Sequence, residues 1–128
     1  MGFLRVRVRV ANPQQRERSA EVELLVDSGA TFTVVPKELV EQTALSPEAV
    51  RRLRTADGRQ LERQQGLAYL EADGHAATVP VIFGDEGDIP VLGVTTLEIL
   101  GLAFDPVKRE LRPSEYLYLG SRLQGDPS

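Results

Sequence analysis

Short runs of β-favouring residues, each closed by a turn signal, constrain this chain more than any other feature. Phe3 to Val10 alternates Val6, Val8 and Val10 with Arg5, Arg7 and Arg9, the period-two pattern of a half-buried strand whose arginines form a solvated face. Asn12-Pro13 breaks it. The polar segment Gln14 to Ser19 reads as a mobile loop, and Ala20 to Val26 as the strand that completes a hairpin. Thr31 to Val35 is a further strand, ended by Pro36, which suits the first turn of a short helix over Lys37 to Thr43. Ser46-Pro47-Glu48 reads as another helix start, with Ser46 as N-cap. Asp57-Gly58 and Asp73-Gly74 supply the positive φ angles of tight hairpins between strands predicted over Arg51 to Ala56, Gln60 to Glu71 and Ala76 to Phe83. Pro80 marks an edge or a bulge in the last of these. Ile89-Pro90-Val91-Leu92 is a short apolar segment stopped by Gly93. Thr95 and Glu98 have capping-box spacing for a short helix, Thr96 to Leu100, with Gly101 as its C-terminal cap, and Phe104 to Leu111 returns as a strand. Many short strands, few short helices and no βαβ repeat predict an all-β fold that is closed, barrel-like or strongly curved.

With 128 residues, 41% hydrophobic and 27% charged, the chain is sized and composed as one soluble domain, and no apolar run approaches the ~20 residues of a bilayer span. The N-terminal MGFLRVRVRV lacks the continuous apolar stretch of a signal peptide, and Val6 stands where a myristoylation site needs Ser or Thr, so a cytoplasmic location without membrane contact is expected. A net charge of −4 argues against a nucleic-acid partner. Zero cysteines exclude disulfides, thiolate zinc sites and cysteine nucleophiles. A single His75, in a turn, leaves little basis for a Ser-His-Asp triad or a histidine metal site, and no cofactor or metal is expected.

Against this background one carboxylate stands out. In LLVDSGATFTVVP, Leu24 to Pro36, an apolar run leads directly into Asp27, then Ser28-Gly29-Ala30, and a second apolar run follows. A charge at the end of an apolar strand is costly when buried without partners. One reading is an Asx turn at a strand end, as Asp-Ser-Gly clusters often form. The other is a loop built to present a carboxylate.

The flanks favour the second reading. Apolar residues before Asp27, Ala30-Thr31 after Gly29, a β-branched strand closing on Pro36, and later Val91-Leu92-Gly93 leading into a short helix together resemble the retroviral-type, retropepsin-like aspartic proteases and their bacterial relatives. The resemblance runs from Phe3 to Leu111, most of the chain. It implies a protease domain over residues 1–113 and an extension over 114–128, whose first part is expected to pack and whose end, Gln124 to Ser128, is expected to fray. It also implies that Asp27 is catalytic and that Ser28 and Gly29 support it. Gly29 and Ala30 would face substrate backbone, Ala56, Asp57 and Gly58 would form a flap tip, and Ile89 and Val91 would line substrate pockets.

Peptide hydrolysis of this type uses two carboxylates, one ionised to take a proton from water and one protonated to hydrogen-bond the scissile carbonyl. The chain has one Asp-Ser-Gly and no Asp-Thr-Gly, so the expected enzyme is a homodimer with one Asp27 from each chain, acting on a peptide or protein substrate. Two departures bear on the dimer. Viral relatives carry an Asp two residues after the motif glycine and an Arg after the later glycine; Thr31 and Val94 stand there, so both halves of that ion pair are missing together. The tip Thr55-Ala56-Asp57-Gly58-Arg59 is polar where viral flaps are glycine-rich. Candidate strands for knitting a dimer are Phe3 to Val10 and Val107 to Arg112. An alternative from another class is a dimerisation or peptide-binding module of the same fold with little or no proteolysis. The acidic loop Gly84-Asp85-Glu86-Gly87-Asp88 offers oxygen ligands for a hard cation, but without the Ca²⁺-loop pattern it reads better as a solvated turn.

Overall fold

The computed structural model describes residues 4–114, and it buries the alternating valines as their spacing predicts: Val8 and Val10 are inside while Arg5 and Arg7 face solvent. Strands β1 (Arg5–Asn12) and β2 (Gln15–Val26) pair antiparallel around Pro13-Gln14. The expected mobile loop over Gln14 to Ser19 is corrected, because from Gln15 onward this segment is the first half of β2. Both of its faces are exposed, so no apolar alternation announces it, yet the ladder reaches Ala11↔Ser19 and, after a register shift, Asn12↔Gln15. Arg9 Nη2 donates to the Arg16 carbonyl at 3.0 Å, and the Arg16 guanidinium lies 3.8 Å from the Tyr69 ring centroid.

β3 (Thr33–Val35) leads through Pro36 into α1 (Lys37–Thr43), within the predicted bounds. Ala44 closes α1 with φ 56°, and the Asn12 side-chain amide donates to the Thr43 and Ala44 carbonyls, satisfying groups that the helix end leaves open. The second expected helix does not form. Pro47–Arg54 is strand β4, antiparallel to the first half of β5 (Gln60–Ala72). Pro47 suits the first position of a strand as well as the first turn of a helix, and pairing over the whole length of β4 outweighs the local cap signal.

β5 bends on into an antiparallel pairing with β6 (His75–Phe83) around Asp73-Gly74, both at positive φ as the dipeptide predicts. Pro80 is an edge feature and not a bulge: its register with β5 is unbroken, and pairing with β3 begins one residue later, at Val81. β7 (Val91–Leu92) lies between β2 and β3, parallel to β2. Three pairs between β1 and β5, Arg9↔Glu71 to Ala11↔Tyr69, close β1-β2-β7-β3-β6-β5 into a ring, with β4 outside on β5. The fold is all-β with two short helices.

α2 spans Val94–Leu100 and Gly101 caps its C-terminus at φ 75°. Its N-cap is Gly93, with no side-chain cap, so the expected capping box at Thr95 and Glu98 is corrected. The expected strand Phe104 to Leu111 is two strands, β8 (Leu102–Asp105) and β9 (Glu110–Pro113). Asp105 Oδ1 accepts hydrogen bonds from the Val107 and Lys108 N–H groups and starts the turn between them. The core lies inside the ring, with Val10, Leu24, Leu70, Val79, Val81 and Leu92 fully buried, and α2 covers it with Leu97 and Leu100. Phe3 and residues 115–128, which hold most of the expected extension, lie outside the described residues.

Candidate active site

Asp27 follows directly on β2, whose Leu24 and Val26 are buried, and is itself half-buried. Its backbone N–H donates to the Leu92 carbonyl at 3.1 Å, so β7 holds the residue in line with the parallel pair Val26↔Leu92. The chain then turns. The Gly29 N–H donates to Asp27 Oδ1 at 2.9 Å, and the Ala30 N–H donates to the Asp27 carbonyl at 3.1 Å. An Asx turn therefore forms, and its hydrogen bond fixes the direction of the Asp27 carboxylate. A Cβ on Gly29 would lie 3.3 Å from Asp27 Oδ1, so this position favours a residue without one. Ser28 and Gly29 are exposed.

The loop is strapped to α2 from beneath. The Val94 N–H donates to the Ala30 carbonyl at 2.8 Å and the Thr95 N–H to the Thr31 carbonyl at 2.9 Å. Thr31 and Val94 thus occupy the places of the viral ion pair with a backbone link nearby instead. Below them Thr33 and Thr96, both fully buried, share a hydroxyl hydrogen bond of 2.6 Å, and Thr33 Oγ1 accepts the Gly93 N–H at 3.0 Å. Gly93 has no room for a side chain, since a Cβ would lie 2.5 Å from the Phe32 carbonyl carbon. Sequence reasoning missed this pair of threonines. Their only signal is a hydroxyl in an otherwise aliphatic strand, at Thr33, and another on a buried helix face, at Thr96.

The residues expected to meet substrate fall in three places. Gly29 and Ala30 belong to the Asp27 loop. Ala56, Asp57 and Gly58 form the tip of the β4–β5 hairpin, where the Thr55 hydroxyl and Arg59 hold the Asp57 carboxylate and Gly58 has φ 88°. The Thr55 hydroxyl and then the Arg59 N–H hold the Asp57 carboxyl below its ordinary value. Ile89 is 69% exposed, whereas Val91 is buried in β7. A bidentate pair joins the second and third places: Arg63 on β5 donates to Asp88 at 2.7 and 3.0 Å, one residue before Ile89. The Arg63 guanidinium, above all, holds the Asp88 carboxyl below its ordinary value. Asp88 Oδ2 also accepts the Asp85 N–H, and Asp85 Oδ1 the Glu86 N–H, so the acidic loop is a turn occupied with its own bonds. His75 is bonded to the Asp73 carbonyl within its own turn.

A family profile described as gag-polyprotein putative aspartyl protease matches residues 17–99. The chain belongs to this retropepsin-like family. No curated protein matches it. The retropepsin-like segment begins inside β2 and ends inside α2, so it contains the Asp27 loop, the β4–β5 hairpin, Ile89, β7 and the Thr33–Thr96 pair. At its C-terminal end, α2 and the following β8 border a largely apolar groove of about 410 Å³ that reaches Ser28, lined also by Leu97, Leu102 and Phe104. No helix among the described residues is long and apolar enough to cross a membrane.

Proposed function

We propose that this retropepsin-like chain is an aspartic endopeptidase that works as a homodimer. The observation that carries the proposal is the presentation of Asp27: a half-buried carboxylate at the end of a core strand, aimed by the Gly29 N–H and braced by β7 and α2. One chain supplies one such carboxylate. A second copy, related by a two-fold axis beside Ser28, brings the other. The apolar groove that starts at Ser28 is a surface such a copy would cover.

The chemistry then follows from two carboxylates at close range. Both cannot ionise cheaply, so the pair shares a proton, the established behaviour of aspartic protease dyads. The ionised member takes a proton from a water as that water attacks the scissile carbonyl carbon. The protonated member donates a hydrogen bond to the carbonyl oxygen as negative charge develops there. The tetrahedral intermediate collapses by breaking the C–N bond, and the leaving amine takes a proton from the dyad. The β4–β5 hairpin would close over the peptide and limit water.

The test is cleavage of an unstructured protein at mildly acidic pH, with inhibition by a statine-type transition-state mimic. Asp27→Asn keeps an oxygen for the Gly29 N–H and so keeps the fold, but it is expected to lose activity by about 10³-fold or more. Because each chain holds half a site, specific activity should fall on dilution. A chain that stays monomeric at high concentration, with peptide present, would overturn the shared site. A stable dimer that cleaves nothing across pH would point to the binding module.

A further inference from the structure

The β4–β5 hairpin has an inner and an outer face, set by its register. Arg51↔Arg63 and Leu53↔Leu61 are cross-strand pairs two residues apart, so these four side chains share one face. That face is the inner one, because Arg63 reaches Asp88 on the body of the protein and Leu53 and Leu61 are half-buried. The two inner arginines differ in their partners. Arg63 is neutralised by the bidentate contact with Asp88.

Arg51 is not. Its Nε donates to the amide oxygen of Gln65, an uncharged group, and its Cζ stands 5.6 Å from the centroid of the Phe32 ring. Among the described residues no carboxylate lies within ion-pair distance of it. Phe32 belongs to the loop that runs from Asp27 to Thr33, and its backbone is pinned against Gly93. An exposed guanidinium is therefore held on the loop that carries the carboxylate of the site, with both Nη groups still available to donate. A planar fork of N–H donors matches a carboxylate, and an uncompensated one in a chain of net charge −4 is a local feature and not a reflection of composition.

We propose that Arg51 is a specificity-determining residue that selects peptides bearing an Asp or Glu side chain close to the bond laid across Asp27. The inference rests on the endopeptidase reading and adds the substrate class. A neutral peptide leaves Arg51 on Phe32 with water on its Nη groups. An acidic one replaces that water with a charge-assisted, bidentate contact.

The test uses a peptide that the chain cuts, prepared in pairs with Glu or Gln at each position flanking the cut. At one position kcat/KM for Glu over Gln is expected to be about tenfold or more in the wild type, the scale of one charge-assisted contact. The ratio should approach one in Arg51→Gln and fall below one in Arg51→Glu. If Arg51 only braces the hairpin, its variants lower both members of every pair alike and leave the ratio intact, which overturns the proposal. Equal cleavage of acidic and neutral peptides by the wild type also overturns it while leaving the endopeptidase standing. Should no peptide be cut, labelled unstructured peptides prepared in pairs with Glu or Gln at each position in turn are titrated against the Asp27→Asn chain by fluorescence anisotropy. A Glu preference that disappears with Arg51→Gln supports selection without hydrolysis, and equal binding or no binding of either peptide refutes it.

Discussion

The Asp27 loop and the β4–β5 hairpin are built on opposite principles. The loop is short, and its bonds run to β7 and α2, with two buried threonine hydroxyls and a glycine that admits no side chain at their centre. The hairpin is long, its β4 strand is the outer edge of the sheet, and Val50 on it is 64% exposed. Most of its side-chain bonds join exposed groups of the hairpin itself, such as Thr55, Asp57 and Arg59 at the tip and Arg51 with Gln65. In the first region a small displacement meets close-packed atoms; in the second it meets water. Under the proposed function, a carboxylate that holds its direction and a cover that opens over a peptide would call for this division.

Substitutions in the two regions test this contrast. The largest effect is expected at Leu92, fully buried on β7 beside the Asp27 loop, where Leu92→Ala should cost about 2–5 kcal/mol in denaturant unfolding. Thr33→Val comes next. It leaves the Gly93 N–H and the Thr96 hydroxyl without their partner, at about 1–3 kcal/mol, although the new side chain has nearly the same shape. If the loop tolerated Thr33→Val as easily as the surface does, its rigidity would have another source.

A smaller effect marks the seam between the regions, the Arg63–Asp88 pair. The folded-state pKa of Asp88 is depressed, so its contribution is fully present above the ordinary value of 3.8 and is lost as pH falls through the lower folded value. Thermal unfolding from neutral pH down past that value should show the wild type losing stability that Asp88→Asn lacks from the outset, a difference of about 1 kcal/mol for a partly exposed pair. Smallest of all is Arg52→Ala on the outer face of the hairpin. Its contact with Glu62 is 3.7 Å between exposed side chains, and removing it should change stability by no more than about 0.5 kcal/mol. A loss comparable to that of Thr33→Val would mean that the hairpin is as firmly held as the loop.

The same division governs what could be read from the sequence. Val8 and Val10 reveal β1 because one face is buried, and Asp73-Gly74 reveals its hairpin because few residues accept positive φ. Asp27 is legible because an acid beside buried leucine and valine is unusual. Gln15–Ser19 and the first half of β4, residues 47–50, were not, since segments exposed on both faces carry no alternation, and Ser46-Pro47-Glu48 imitates a helix cap; the second half of β4 falls within the strand predicted from Arg51. Nor does anything local link Thr33 to Thr96. That contact exists only because β7 is inserted between β2 and β3, a topological fact spread over the chain.

The insertion of β7 also sets a time order. Thr33 finds Gly93 and Thr96 across 60 and 63 residues, and Asp27 finds Leu92 across a similar span, so the loop can form its own turn locally but not the bonds that brace it. Such distant contacts form slowly, and on a chain emerging from the ribosome at about 5–20 residues per second they must wait several seconds for their partners to be made. A nascent chain can therefore close the local turn that orients the Asp27 carboxylate, but the bonds that brace that turn from β7 and α2 form only after α2 has been synthesised.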